Sequence, residues 1–110
     1  MPHKNVAEGL AILFEEKVIG FDTILEVTQS LSKKGATRIE IMDFFYLFTR
    51  NYATRLTDEQ LDIVGDVNIH LSGQQCRIDQ IIRLPGDPEG THELASFVRE
   101  QVKNWAPPER

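Results

Sequence analysis

A chain of 110 residues, 41% apolar and 26% charged, fits one soluble globular domain over 1–110, because disorder needs fewer apolar residues and a membrane span about 20 consecutive ones. The formal charge of −5 argues against binding phosphate backbones, which depends on local cation density, and leaves protein partners open. A single cysteine, Cys76, excludes an internal disulfide and a cysteine metal cluster, so the expected setting is the reduced cytoplasm, with no cofactor.

Across residues 3–19, Val6, Leu10, Leu13, Phe14 and Val18 recur at helical spacing, with Glu8, Glu15, Glu16 and Lys17 elsewhere on the wheel. Gly20 is expected to end that helix. A second helix is predicted from Thr23-Ile24-Leu25-Glu26, a capping box in which Thr23 and Glu26 satisfy each other's backbone donors. Its inner face is Ile24, Val27 and Leu31. Lys33, Lys34 and Gly35 mark its end, through charge at the negative terminus and a residue suited to the left-handed conformation.

The third helix opens on another box, Thr37-Arg38-Ile39-Glu40. Of the chain's nine aromatic residues, five (Phe44, Phe45, Tyr46, Phe48 and Tyr52) fall between Ile41 and Tyr52, so the core is expected to form against this helix. Ile41, Phe44, Phe45, Phe48 and Tyr52 make one stripe, which Met42, Tyr46 and Leu47 widen. Asp43, Arg50 and Asn51 mark the outward strip. A third box, Thr57-Asp58-Glu59-Gln60, comes with a staple of Leu56 onto Leu61 and predicts a fourth helix.

Residues 66–84 carry two patterns. Val67, Ile69 and Leu71 alternate with polar residues, and so do Cys76 and Ile78. A hairpin closed at Ser72-Gly73-Gln74-Gln75, with Gly65-Asp66 stopping the fourth helix, would pair them on one face. Alternatively, Ser72 to Gln75 caps a further helix carrying Ile78, Ile81 and Ile82. Leu84 to Gly90 is a turn or loop on either reading. The last helix begins at Asp87-Pro88 or Thr91 and buries Leu94, Phe97, Val98, Gln101, Val102 and Trp105 before Pro107-Pro108. The predicted fold class is therefore mainly α: a single compact domain of about five helices with a small β-hairpin at 66–84, or all-α with an extra helix there.

Four constellations bear on function. The second and third helices have helix-turn-helix lengths, but the would-be reading helix presents Phe44, Phe45 and Phe48 where base contacts need polar groups. A winged-helix variant would read with residues 58–66 and use 66–84 as its wing, and phosphate would repel its acids. Asp58, Asp62 and Asp66 recur every four residues with Glu59 beside them. They form a solvated helix face or a docking surface for a basic partner, and the calcium-loop pattern is absent. Cys76 with His70 or His92 lacks a group to orient the histidine, which favours a structural cysteine. The aromatic helix is expected to be core, or else part of Phe45, Tyr46 and Tyr52 stays exposed as a contact site, since aromatic anchors dominate protein interfaces, and Tyr46 is the one taken as a partner-binding residue.

These observations predict a small cytosolic protein-binding or regulatory protein: an inhibitor, an immunity- or antitoxin-like partner, or an adaptor. It is not expected to be an enzyme. The residues expected to touch the partner are Asp58, Glu59, Asp62, Asp66 and Tyr46, and the partner is expected to have a basic surface. The aromatic and C-terminal helices carry enough apolar surface for a homodimer as well. The alternative is a winged-helix-like DNA-binding regulator.

Overall fold

Two of the three predicted capping boxes form as their side chains dictate. Thr37 Oγ1 accepts from the Glu40 N–H (3.1 Å) and Glu40 Oε1 from the Thr37 N–H (2.8 Å). Thr57 and Gln60 repeat the exchange at 3.2 and 2.9 Å. The computed structural model describes residues 3–108. Among them are α1 (Lys4–Glu16), α2 (Phe21–Lys33), α3 (Arg38–Asn51), α4 (Asp58–Ser72) and α5 (Thr91–Val102), with 3-10 turns at Ala53–Arg55 and Ile78–Gln80. No described residue is in a strand, and no helix among them is long and apolar enough to cross a membrane.

The box expected at Thr23 does not form. α2 starts three residues earlier, with Gly20 in place of Thr23 as its N-cap and no side-chain cap, and the Thr23 and Ile24 N–H groups both donate to the Gly20 carbonyl. The earlier start places Phe21 edge-on against His70, with ring centroids 5.3 Å apart. The far end of α2 agrees with expectation. Gly35 has φ 101°, its N–H donates to Ser32 O and the Ala36 N–H to Leu31 O, the paired bonds of a left-handed helix stop.

α3 is the centre of the core. Ile41, Met42, Phe44, Phe45 and Phe48 are buried, and Phe48 stacks on Tyr52 at 5.0 Å and leans on Phe14 of α1 at 6.4 Å. α4 packs against both α2 and α3 through Val64, Val67 and Leu71. Asn68 on its flank donates from Nδ2 to the Met42 carbonyl at 3.0 Å.

The hairpin expected at 66–84 is absent. α4 continues through Gly65 and Asp66 to Ser72, and the next element is a 3-10 turn rather than a full extra helix. The alternation of Val67, Ile69 and Leu71 is incidental, because Val64, Val67 and Leu71 also lie on one helical face and that face is the one buried. The left-handed residue that ends the helix is Gly73, at φ 70°. A Cβ there would stand 3.0 Å from Val98 Cγ1 and 3.3 Å from Ile81 Cδ1, so glycine also allows α5 and the 3-10 segment to close over the end of α4. Arg99 of α5 donates from Nε to the Gly73 carbonyl at 2.8 Å.

Three single residues also depart from the sequence pattern, one of them Gln101, read as inward and exposed on α5. Val18, read as part of the first helical stripe, lies beyond the end of α1 and stands fully in solvent, at 105% relative exposure. Phe97, read as inward, is 44% exposed, because α5 turns Leu94, Ala95, Val98 and Val102 to the interior.

Arg55, in the turn after α3, ties that end of the molecule to α1. It reaches Glu8 at 2.8 Å and Glu15 at 3.1 Å and lies 5.3 Å from the Tyr52 ring centroid, while Tyr52 donates its hydroxyl to Glu8 at 3.0 Å. The hydrogen bond from Arg55, and then that from Tyr52, hold the Glu8 carboxyl below its ordinary 4.5, and Arg55 does the same for Glu15. A lowered folded-state value means stability that is present above about pH 4.5 and is lost as pH falls through the lowered values. Urea unfolding across that window is expected to show a shallower acid loss for Arg55→Met than for the parent chain. Identical slopes would mean that this cluster contributes nothing.

Candidate functional site

α4 sets the geometry of the acid row. With 3.6 residues per turn, Val64, Val67 and Leu71 fix the inward direction, and Asp58, Glu59, Asp62 and Asp66 fall on the outward side. All four are exposed, and none of their carboxylates takes part in a hydrogen bond or ion pair with another described residue. Asp58 and Glu59 sit in the first turn, where the helix N-terminus favours negative charge. Asp62 and Asp66 lie beyond that turn and gain little from it.

Many carboxylates elsewhere are engaged. Glu40 caps α3, Asp43 accepts from Trp105 Nε1 at 2.8 Å, Asp79 pairs with Arg77, and Glu100 with Lys103. Glu8 and Glu15 of α1 are held by Arg55, which leaves Glu16 as that helix's unpartnered acid, and α2 has two such acids, Asp22 and Glu26. α4 therefore carries the longest run of unpartnered carboxylates among the described helices. Among the described residues, no group of three or more His, Cys, Asp or Glu side chains is placed to hold a metal ion.

Tyr46 lies apart from this row. It is half-buried on α3, edge-on to Trp105 at a centroid distance of 6.5 Å, and no hydrogen bond or ring contact joins it to the four acids. The chain after α5 thus covers part of the aromatic helix. Cys76 is part-buried beside Ile81 and Leu94, its Sγ faces the Ile69 carbonyl at 4.0 Å, and burial pushes the thiol up, the reverse of what a nucleophile needs. His70 instead contacts Phe21, and its Nδ1 is buried without a partner.

The most heavily invested polar group is one that the sequence pattern places only inside a capping box. Arg38, 2% exposed, donates to the Leu71 carbonyl at 2.8 Å, the Ile82 carbonyl at 3.0 Å and Asp87 Oδ2 at 2.5 Å. Asp87 also accepts from the Leu84 N–H at 2.7 Å. Burial pulls the guanidinium below its ordinary value, and the Asp87 charge opposes that. The signal was present in the spacing: Arg38, Ile41, Met42, Phe45 and Phe48 share one face of α3, and a cation on a buried stripe requires a partner. The pair fastens the end of α4 and the loop before α5 to the start of α3, which is a structural task.

Comparisons with protein-family models, with curated proteins and with solved structures match nothing, so the functional reading rests on the chain's own residues.

Proposed function

We propose that this chain works by binding another protein, as an inhibitor, an immunity- or antitoxin-like partner, or an adaptor, and that the carboxylate row of α4 meets a basic surface on that partner. The observation that carries this reading is the run of four carboxylates, Asp58, Glu59, Asp62 and Asp66, exposed along one side of α4 and without a partner among the described residues. Carboxylates held in one row by a rigid helix steer and orient a cationic partner, and their effect falls as salt screens them. Tyr46 belongs to a second, smaller contact region, where its half-buried ring meets Trp105.

The test is affinity capture from the native cell with the intact chain and with Asp62→Lys/Asp66→Lys. Both positions are exposed, so circular dichroism and thermal stability should hardly change. Capture of the specific partner is expected to drop about tenfold or more, and earlier at higher salt. Undiminished capture removes the row from the interface.

A further inference from the structure

We propose that the groove between the end of α1, the Lys17–Gly20 connection and the first turns of α4 receives a basic segment of a partner protein through an apolar anchor residue. This rests on the protein-binding reading above and deepens it by naming the seat and the chemistry of what sits there.

The groove has a volume of about 510 Å³, within the roughly 300–1,000 Å³ of ligand-binding clefts. Its apolar lining is Phe14, Val18, Ile19 and Ile63, and its acidic lining includes Glu16 and Glu59. Val18 is fully exposed there, and Ile12, 41% exposed, precedes Glu15 and Glu16 by one turn of α1 and so extends the same surface. Of the large apolar side chains that the described residues leave exposed, these are two of three, the other being Phe97. Scattered exposed apolar residues need no explanation, but Val18 is exposed within the lining of the groove itself, beside Ile19 and Ile63.

Charge selects the occupant. Glu16 and Glu59 have no ion pair or hydrogen-bond partner for their carboxylates among the described residues, Glu15 is held by Arg55, and Lys17 is the cation in the lining. Asp58 and Asp62 continue the negative field along α4. An anionic ligand would be repelled, and a purely apolar one would leave the carboxylates without a countercharge. A segment with a leucine- or phenylalanine-like anchor flanked by lysine or arginine satisfies both features.

The walls are also fixed in advance. Gln60 Nε2 donates to the Phe14 carbonyl at 3.0 Å while its Oε1 accepts from the Thr57 N–H at 2.9 Å, so one side chain joins the end of α1 to the start of α4. A seat already held by such bonds loses little order on binding.

The probe is a short fluorescent peptide with a leucine and phenylalanine centre flanked by arginine and lysine, titrated by anisotropy against the purified full chain. Saturable binding that weakens with salt is expected, with a loss of about tenfold or more in Val18→Asp and again in Glu16→Lys/Glu59→Lys. All three positions are exposed, and circular dichroism checks that the variants stay folded. The proposal is overturned by absence of saturable binding, by equal binding of a peptide with glutamate flanks, or by unchanged affinity in both variants. If only Asp62→Lys/Asp66→Lys weakens the peptide, the groove is wrong and the acid-row reading stands. If partner capture survives that last double variant, the row fails independently of the groove.

Discussion

Asp87→Ala is expected to cost about 3–5 kcal/mol of folding stability, a large part of the roughly 5–15 kcal/mol that a whole domain possesses. The carboxylate it removes sits 2.5 Å from a guanidinium nitrogen whose side chain is almost wholly out of water. The variant retains a buried cation held by the carbonyls of Leu71 and Ile82 alone, with its Nε already lacking a partner. Two neutral acceptors do not replace a countercharge in a low-dielectric setting. Arg38→Met is expected to be damaging on two counts, since it leaves the Asp87 carboxylate, 9% exposed, without its countercharge and takes the Arg38 donors away from both carbonyls, at about 1–3 kcal/mol for each that is left buried and unmet. The double variant Arg38→Met/Asp87→Leu removes the orphan charge and should be less destabilised than the sum of the two single variants. Urea unfolding of the four proteins closes the cycle. A loss below about 1 kcal/mol for Asp87→Ala would place the pair with ordinary surface ion pairs. Hydrogen exchange should show the damage first around residues 82–95, where the loop and the start of α5 depend on this anchor.

The Arg38–Asp87 link also shows what a linear reading misses. The two residues are 49 positions apart, and nothing local to Asp87 distinguishes a turn residue from an ion-pair partner. Local chemistry was legible in part: the boxes at Thr37 and Thr57 form from residues three apart, the same spacing at Thr23 does not because α2 starts before it, and the glycine stop at Gly35 needs only its own backbone. The density of aromatics also identified α3 as the wall of the core. The hairpin reading failed because Val67, Ile69 and Leu71 satisfy a period of two while Val64, Val67 and Leu71 satisfy 3.6, and only packing against α2 and α3 decides between them. The acid row was legible, since spacing alone puts Asp58, Asp62 and Asp66 on one side of a helix. The groove beside it was not. Its exposed apolar residue, Val18, fits the α1 stripe by spacing and leaves it only because the helix ends at Glu16.

Phe48→Ala is the second large effect, with an expected cost of about 3–5 kcal/mol. Phe48 is entirely buried, and its ring meets Phe14 at 6.4 Å, Phe44 at 6.4 Å and Tyr52 at 5.0 Å, so it links α1 to two turns of α3. Removing it takes away burial, leaves a cavity between α1 and α3, and costs three ring contacts together. Phe48→Leu keeps most of the volume but not the ring contacts, and its cost should fall below that of Phe48→Ala. Tyr46→Ser is the informative contrast. Tyr46 is only half-buried and has one ring neighbour, Trp105, so its loss should be much smaller than that of Phe48→Ala. Thermal unfolding measures the difference at roughly 4 °C per kcal/mol for a chain of this size. If Tyr46→Ser melts as early as Phe48→Ala, the whole aromatic face of α3 is core and no part of it is free to meet a partner. If Tyr46→Ser keeps its stability and loses partner capture, the helix that builds the core also contributes to the interface, on the side that Trp105 covers.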